Sequence, residues 1–325
     1  MKVFALNATR EFGQRVAEEL DISLALHEER EFEDGEHKAR PLDSVRGDDC
    51  FVIQSLYGEP GNSVHDKLCR LLLFIACLRE NGATSVAAVI PYLAYGRKDR
   101  QTKPRDPVTT RYMAQLLEAA GADLVVTLEA HNIVAFQNAF RCRTIHLDPC
   151  KLYAAYAARH MKGEPIVVVS PDPGGVKRAQ LFRETLEATL EQPVGSAFIE
   201  KRRSAGVVSG SLFVGEVDGA IALVVDDLVS TGGTLARAAD ACLQFGARGV
   251  LALAAHGLFV GDAGKTIAGS KLERVIVTDT VPPFRLDQSL LNSRVEVLSV
   301  APLFAEAIRR SLGEGTITDL LEGPG

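Results

Sequence analysis

Residues 221–235, IALVVDDLVSTGGTL, decide how the rest of the chain is read. The opening run, 221–225, is rich in Val and Ile and predicts a buried strand. It ends on two adjacent acids, Asp226 and Asp227. The short loop Ser230-Thr231-Gly232-Gly233-Thr234 follows, and a helix is expected to begin near Leu235. A glycine-rich loop lets backbone N–H groups approach an anion, and the helix N-terminus behind it adds the positive end of its dipole. The hydroxyls of Ser230, Thr231 and Thr234 can complete that cradle. The two carboxylates would repel phosphate and are better placed on sugar hydroxyls or on a bound cation. The competing reading is an ordinary strand-to-helix turn with a threonine cap, which rarely needs paired acids. A sugar phosphate suits the pattern.

Outward from this stretch, strand and helix patterns alternate along the whole chain. Strands are expected at 3–6, 50–54, 86–90, 124–128, 166–169, 251–255, 275–277 and 295–298. Helices are expected at 9–20, from a cap at Asn62-Ser63 through Arg79, and at 109–120, 174–188, 235–245 and 305–311. Alternation of this kind predicts an α/β fold of mainly parallel sheets flanked by helices. The pattern restarts after Asp148-Pro149, and the boundary is set near Arg143. The expected parts are 1–143, 144–299, and a final helix and tail, 300–325, able to pack back on the first part.

Composition sets the outer bounds. The chain has 325 residues, 46% of them hydrophobic and 24% charged, enough to bury two cores. A net charge of −6 argues against a general nucleic-acid binder. The first residues, MKVFALNATREFG, lack the apolar core of a signal peptide, and no apolar run approaches the roughly 18 residues of a membrane span. Six cysteines are scattered without a CxxC pair and read as small core residues of a reduced, cytoplasmic protein. Gly264-Lys265-Thr266 imitates the end of a Walker loop, but Phe259 stands where its first glycine is required, so no P-loop is present.

Other segments carry chemistry. Arg97 and Arg100, in IPYLAYGRKDR at 90–100, fall just past an expected strand end, where α/β sheets bind ligands, and two guanidinium groups can clamp a polyphosphate. A solvated basic turn is the alternative. Asp172, in SPDPGGVKR at 170–178, follows a strand and precedes a helix, and a hard carboxylate there suits Mg²⁺. His131 closes TLEAH at 127–131, and a lone histidine at a strand end is more often polar surface. Lys201-Arg202-Arg203 can neutralise charge developing in a transfer reaction, or can be a solvated charge run. Phe32-Glu33-Asp34-Gly35-Glu36 reads on its own as a turn.

These segments together resemble the ribose-phosphate pyrophosphokinase (PRPP synthetase) family over nearly the whole chain. The 226–234 loop is similar to the family's DDxxDTGGT, with Ser230 in place of the third Asp, and to the PRPP loop of type I phosphoribosyltransferases. FEDGE resembles F-x-D-G-E. The 90–100 segment resembles I-P-Y-x-x-Y-x-R-Q-D-R with Lys98 for Gln, and 170–178 resembles S-P-D-x-G-G-x-x-R. The stretch Glu129-Ala130-His131-Asn132 departs most, retaining the histidine of M-D-L-H-A.

The resemblance implies two tandem phosphoribosyltransferase type I-like domains. It implies transfer of the β,γ-diphosphoryl group of ATP to ribose 5-phosphate, giving PRPP and AMP with Mg²⁺ as cofactor. ATP would be held by Phe32, Asp34, Glu36, Arg97, Arg100 and His131. Ribose 5-phosphate would be held by Asp226, Asp227, Ser230, Thr231, Gly232, Gly233 and Thr234. His131 and Asp172 would serve the metal, and Lys201 and Arg203 the transferred group. FEDGE would reach a neighbour's ATP site, which implies a homo-oligomer, commonly a hexamer built from dimers, with no nucleic-acid or membrane partner. Three alternatives stay open: a kinase of another ribose phosphate such as ribose 1,5-bisphosphate, a catalytically silent regulatory subunit, and a phosphoribosyltransferase consuming PRPP.

Overall fold

A computed structural model of the protein describes residues 1–204 and 207–322, without the side chains of 201–211 and 321–322. The chain divides into two compact units, Met1–Asp148 with Val300–Gly325, and Pro149–Ser299.

The first unit contains strands β1 (Lys2–Ala5), β2 (His27–Glu31), β3 (His37–Pro41), β4 (Asp49–Ile53), β5 (Ser85–Ile90), β6 (Leu124–Leu128) and β7 (Arg143–Leu147). Five of them form a parallel sheet in the order β1-β4-β5-β6-β7. Its central strands read FVI, VAAVI and LVVTL because a parallel sheet covered on both faces has no solvent side to alternate toward. Phe4, Val52, Ala88 and Val125 meet Phe74 and Leu78 of the helix Val64–Glu80 in one core. That helix begins on a capping box, Ser63 with Asp66. The boundary expected near Arg143 moves to Asp148, since Arg143–Leu147 is a strand paired to β6. The helix Ala301–Ser311 belongs to this unit, and its Phe304 ring meets Phe12 edge-on at 5.5 Å.

The second unit contains β8 (Ile166–Ser170), β9 (Gly195–Ser204), β10 (Val207–Val214), β11 (Ile221–Val229), β12 (Gly249–Gly257), β13 (Arg274–Thr278) and β14 (Val295–Leu298). Their order is β10-β9-β8-β11-β12-β13-β14, parallel except for the antiparallel β9–β10 pair. Alternate residues of the central strands face two separate cores. Val169, Val224 and Ala252 pack with Leu235 and Cys242 of the helix Gly233–Gln244. Val168, Leu223 and Leu253 pack with Tyr153, Phe182 and Leu186 on the other face. All six cysteines are free thiols. Among the described residues no helix is long and apolar enough to cross a membrane.

Candidate active site

The acid pair lies inside a strand rather than after one. β11 runs on to Val229, and Asp226, Leu228 and Val229 pair with Ala254, His256 and Gly257 of β12. Both carboxylates are therefore held by a sheet, not by a loop. Asp227 is buried and Asp226 is 19% exposed. Burial raises the Asp226 carboxyl well above the usual carboxylate range, and the Asp227 charge beside it pushes the same way. Asp226 Oδ1 accepts from the Asp227 amide at 2.9 Å, and Arg178 stands 4.0 Å away. Arg178, the last residue of the 170–178 motif, gains a task only from this contact.

Past Val229 the chain turns through Ser230–Gly232 into the helix Gly233–Gln244, which starts two residues before the expected position. Gly232 is buried with φ +78, and a Cβ there would sit 3.4 Å from Ile267. Only glycine adopts that backbone freely. The amides of Thr231, Gly232, Gly233, Thr234 and Leu235 have no acceptor among the described residues. Five neighbouring free donors at the positive end of a helix dipole make an anion cradle. The Thr234 hydroxyl lies within reach of Arg237, at 3.4 Å.

Asp172 follows β8 and caps the short 3-10 turn Pro173–Gly175, one carboxylate oxygen accepting from the Gly175 amide at 3.1 Å. The Ser170 hydroxyl donates to the Asp172 carbonyl at 2.6 Å, and a Cβ on Gly175 would come within 2.8 Å of that hydroxyl. The turn leads into the helix Val176–Leu190, which carries Arg178. Lys201 and Arg203 fall in β9, and their side chains lie outside the described residues.

In the first unit, two of the candidate segments are tied together. Asn132 Nδ2 donates to Asp99 at 2.6 Å, linking the loop after β6 to the loop after β5. Asn132 also caps the helix Ile133–Ala139. His131 is exposed beside it, after Glu129 at φ +42. The Ala130 amide donates to His146 Nε2 at 3.0 Å, so a β7 side chain fixes this bend. Arg97 and Arg100 are exposed and have no partner among the described residues. Phe32, Asp34 and Glu36 occupy the tip of the antiparallel β2–β3 hairpin, which sequence reading did not foresee. The tip closes through Phe32 N to Glu36 O at 2.7 Å, with Gly35 at φ +90. Arg30 lies over the 37%-exposed Phe32 ring, 5.1 Å from its centre.

Comparisons with known proteins come from three directions. Residues 1–121 match a family model described as the N-terminal domain of ribose phosphate pyrophosphokinase. Residues 147–258 match a phosphoribosyl transferase domain, and 207–321 a phosphoribosyl synthetase-associated domain. A ribose-phosphate pyrophosphokinase of Caldanaerobacter subterraneus subsp. tengcongensis is 40% identical over 95% of this chain and 94% of its own. One from Fusobacterium nucleatum is 35% identical over 98% of each. The crystal structure of phosphoribosylpyrophosphate synthetase from Mycobacterium smegmatis superposes with a TM-score of 0.86 at 34% identity, covering 97% of this chain and 99% of that one.

Proposed function

We infer the reaction from one premise: this chain belongs to the ribose-phosphate pyrophosphokinase family, with two tandem phosphoribosyltransferase-like domains. It is an enzyme, a diphosphokinase-type transferase. The specific reaction is transfer of the β,γ-diphosphoryl group of ATP to the anomeric hydroxyl of ribose 5-phosphate, giving PRPP and AMP.

The observation that carries this reading is the set of free amides at 231–235 with an acid pair, Asp227 buried and Asp226 partly buried, on the strand before it. The free amides would take the 5-phosphate, and Asp226 and Asp227 would accept hydrogen bonds from the ribose hydroxyls. An isolated phosphate needs the cradle alone; a phosphorylated sugar uses both. In the first unit, Arg97 and Arg100 would take the polyphosphate of ATP with His131 nearby on the tethered loop. Phe32 would stack on adenine with Asp34 and Glu36 at its polar edge, from one subunit to the next, which makes the enzyme a homo-oligomer, a hexamer in this reading. Phosphoryl-type transfer asks the protein to position and neutralise, not to supply a nucleophile. Lys201 and Arg203 would offset charge on the moving diphosphoryl group and the departing AMP.

Mg²⁺ is the cofactor this donor set fits. Among the described residues no three metal-binding side chains converge, so the protein offers isolated hard donors. Magnesium commonly takes one or two carboxylates plus substrate phosphates and water. Asp172 has one carboxylate oxygen left after capping the Gly175 amide. His131 in the first unit and Asp172 in the second would each serve Mg²⁺, which when bound supplies neutralisation of the polyphosphate. Six free thiols fit a reduced, cytoplasmic enzyme.

The test is turnover of purified protein with Mg²⁺ and ATP against a panel of ribose phosphates, scored for AMP and ADP. AMP appearing only with ribose 5-phosphate is expected. ADP with ribose 1,5-bisphosphate would replace the assignment, and ATP binding without turnover would point to a regulatory subunit.

A further inference from the structure

The loop that carries Arg97 and Arg100 holds an internal clasp. Residues 97–106, RKDRQTKPRD, contain five basic and two acidic side chains. Left alone, such a loop would spread under its own charge and sample many conformations. Both acids are engaged instead. Asp99 accepts from Asn132. Asp106 gathers the rest: one carboxylate oxygen accepts from Lys98 Nζ, from the Thr102 hydroxyl at 2.8 Å, and from the amides of Thr102 and Lys103 at 3.1 and 3.0 Å. Lys98 Nζ also donates to the Thr102 hydroxyl at 2.8 Å, and Gln101 Nε2 to the Asp106 carbonyl at 2.9 Å. These bonds hold Asp106 well below the usual carboxylate range, the Lys98 contact contributing most. The bases of the loop are fixed as well, by the Thr109 hydroxyl on the Tyr95 carbonyl at 2.8 Å. Tyr95 and Arg105 stand at φ +62 and +70, a strained region for residues with a side chain, which persists only where surrounding contacts over-determine it.

The charges are thereby sorted. Lys98 is turned to Asp106, while Arg97 and Arg100, on either side of it, have no partner among the described residues. We propose that Asp106 is a positioning residue that presets this loop so that Arg97 and Arg100 meet the polyphosphate of the nucleotide, and that Lys98 serves the clasp rather than the substrate. The inference rests on the reading of Arg97 and Arg100 as the ATP clamp. A loop already in its binding shape does not lose affinity to the fraction of molecules in other shapes.

The experiment compares full-length wild type, Asp106→Ala, Lys98→Met and the double variant. The first readout needs no nucleotide. Trypsin should cut Asp106→Ala after Arg97, Lys98 or Arg100 at least about fivefold faster than wild type, because protection follows the closed population. The second readout is kinetic. Asp106→Ala should raise the KM for ATP about tenfold, as when one loop in roughly ten is competent, and leave that for ribose 5-phosphate within about twofold. Lys98→Met should have a smaller effect, and the double variant should match Asp106→Ala, since both changes open one clasp.

Equal cleavage of wild type and Asp106→Ala would overturn the clasp. Faster cleavage with an unchanged KM for ATP would overturn its positioning role. A double variant whose KM is the product of both single effects would place Lys98 on the substrate and overturn the proposal. Absence of AMP formation by wild type would remove the diphosphoryl reading and the positioning role together, with the proteolysis comparison still deciding the clasp.

Discussion

Asp226→Asn should make the ligand-free protein more stable and the enzyme almost inactive. In the native strand this carboxyl is pushed from 3.8 up to about 8, first by burial and then by Asp227. A group whose folded value is raised binds more protons in the folded state than in the unfolded one across that window. Stability therefore falls as pH rises from about 4 to about 8, by roughly 1.4 kcal/mol per pH unit at the limit. At pH 7 the full linkage would cost about 4 kcal/mol. Arg178 offsets part of this cost, so the gain on neutralising Asp226 is about 2 kcal/mol. Asparagine keeps the Oδ1 that accepts from the Asp227 amide, so the backbone contact survives. For a unit of roughly 150 residues this corresponds to a rise in Tm of about 4–8 °C. Thermal unfolding at pH 5, 7 and 8 measures it, and the gap between variant and wild type should widen with pH. Calorimetric titration with ribose 5-phosphate should show binding weakened by at least about tenfold, as expected when a carboxyl that can ionise on binding the sugar hydroxyls becomes an amide that cannot. A variant no more stable than wild type at pH 7, or a gap that narrows as pH rises, would refute the account of the acid pair.

Three further outcomes are expected. Gly232→Ala places a side chain at φ +78 and should cost roughly 1–2 kcal/mol. By displacing the cradle amides it should also raise the KM for ribose 5-phosphate more than that for ATP, checked by steady-state kinetics. Lys201→Ala should lower kcat by on the order of 10²–10³ with both KM values within about twofold, because a contact made mainly in the transition state behaves so; a rate within twofold of wild type would return the triplet to a solvated face. Phe32→Ala should raise the KM for ATP about tenfold, the scale of one lost base-stacking contact. Mixing Phe32→Ala with Lys201→Ala subunits should restore part of the activity, and normal ATP kinetics in a strictly monomeric protein would rule out a shared site.

What was legible in the sequence was what is buried on both sides. The runs 222–225, 166–169 and 86–90 read as strands because every residue faces a core, and the helix Thr109–Ala120 lies where its apolar periodicity predicts. The β2–β3 hairpin was not legible. HEERE and HKARP carry no strand pattern, and the pair is held by ion pairs such as Arg40 with Glu28 at 2.7 Å and by the buried His27–Glu29 contact. The extension of β11 through the acids was hidden because charged residues usually end a strand; here pairing to β12 carries it on. The turn at 230–232 into a helix was legible because glycine and hydroxyl residues announce a backbone conformation. The Lys98–Asp106 clasp was not, since a contact between loop residues eight apart leaves no period in the sequence.

The central claim, that the β and γ phosphates of ATP move together, is tested most directly by following label from [β-³²P]ATP in the presence of Mg²⁺ and ribose 5-phosphate. The label should leave the nucleotide and appear in a sugar diphosphate, one for each unlabelled AMP formed. Label remaining in ADP, with or without consumption of the sugar, would contradict it.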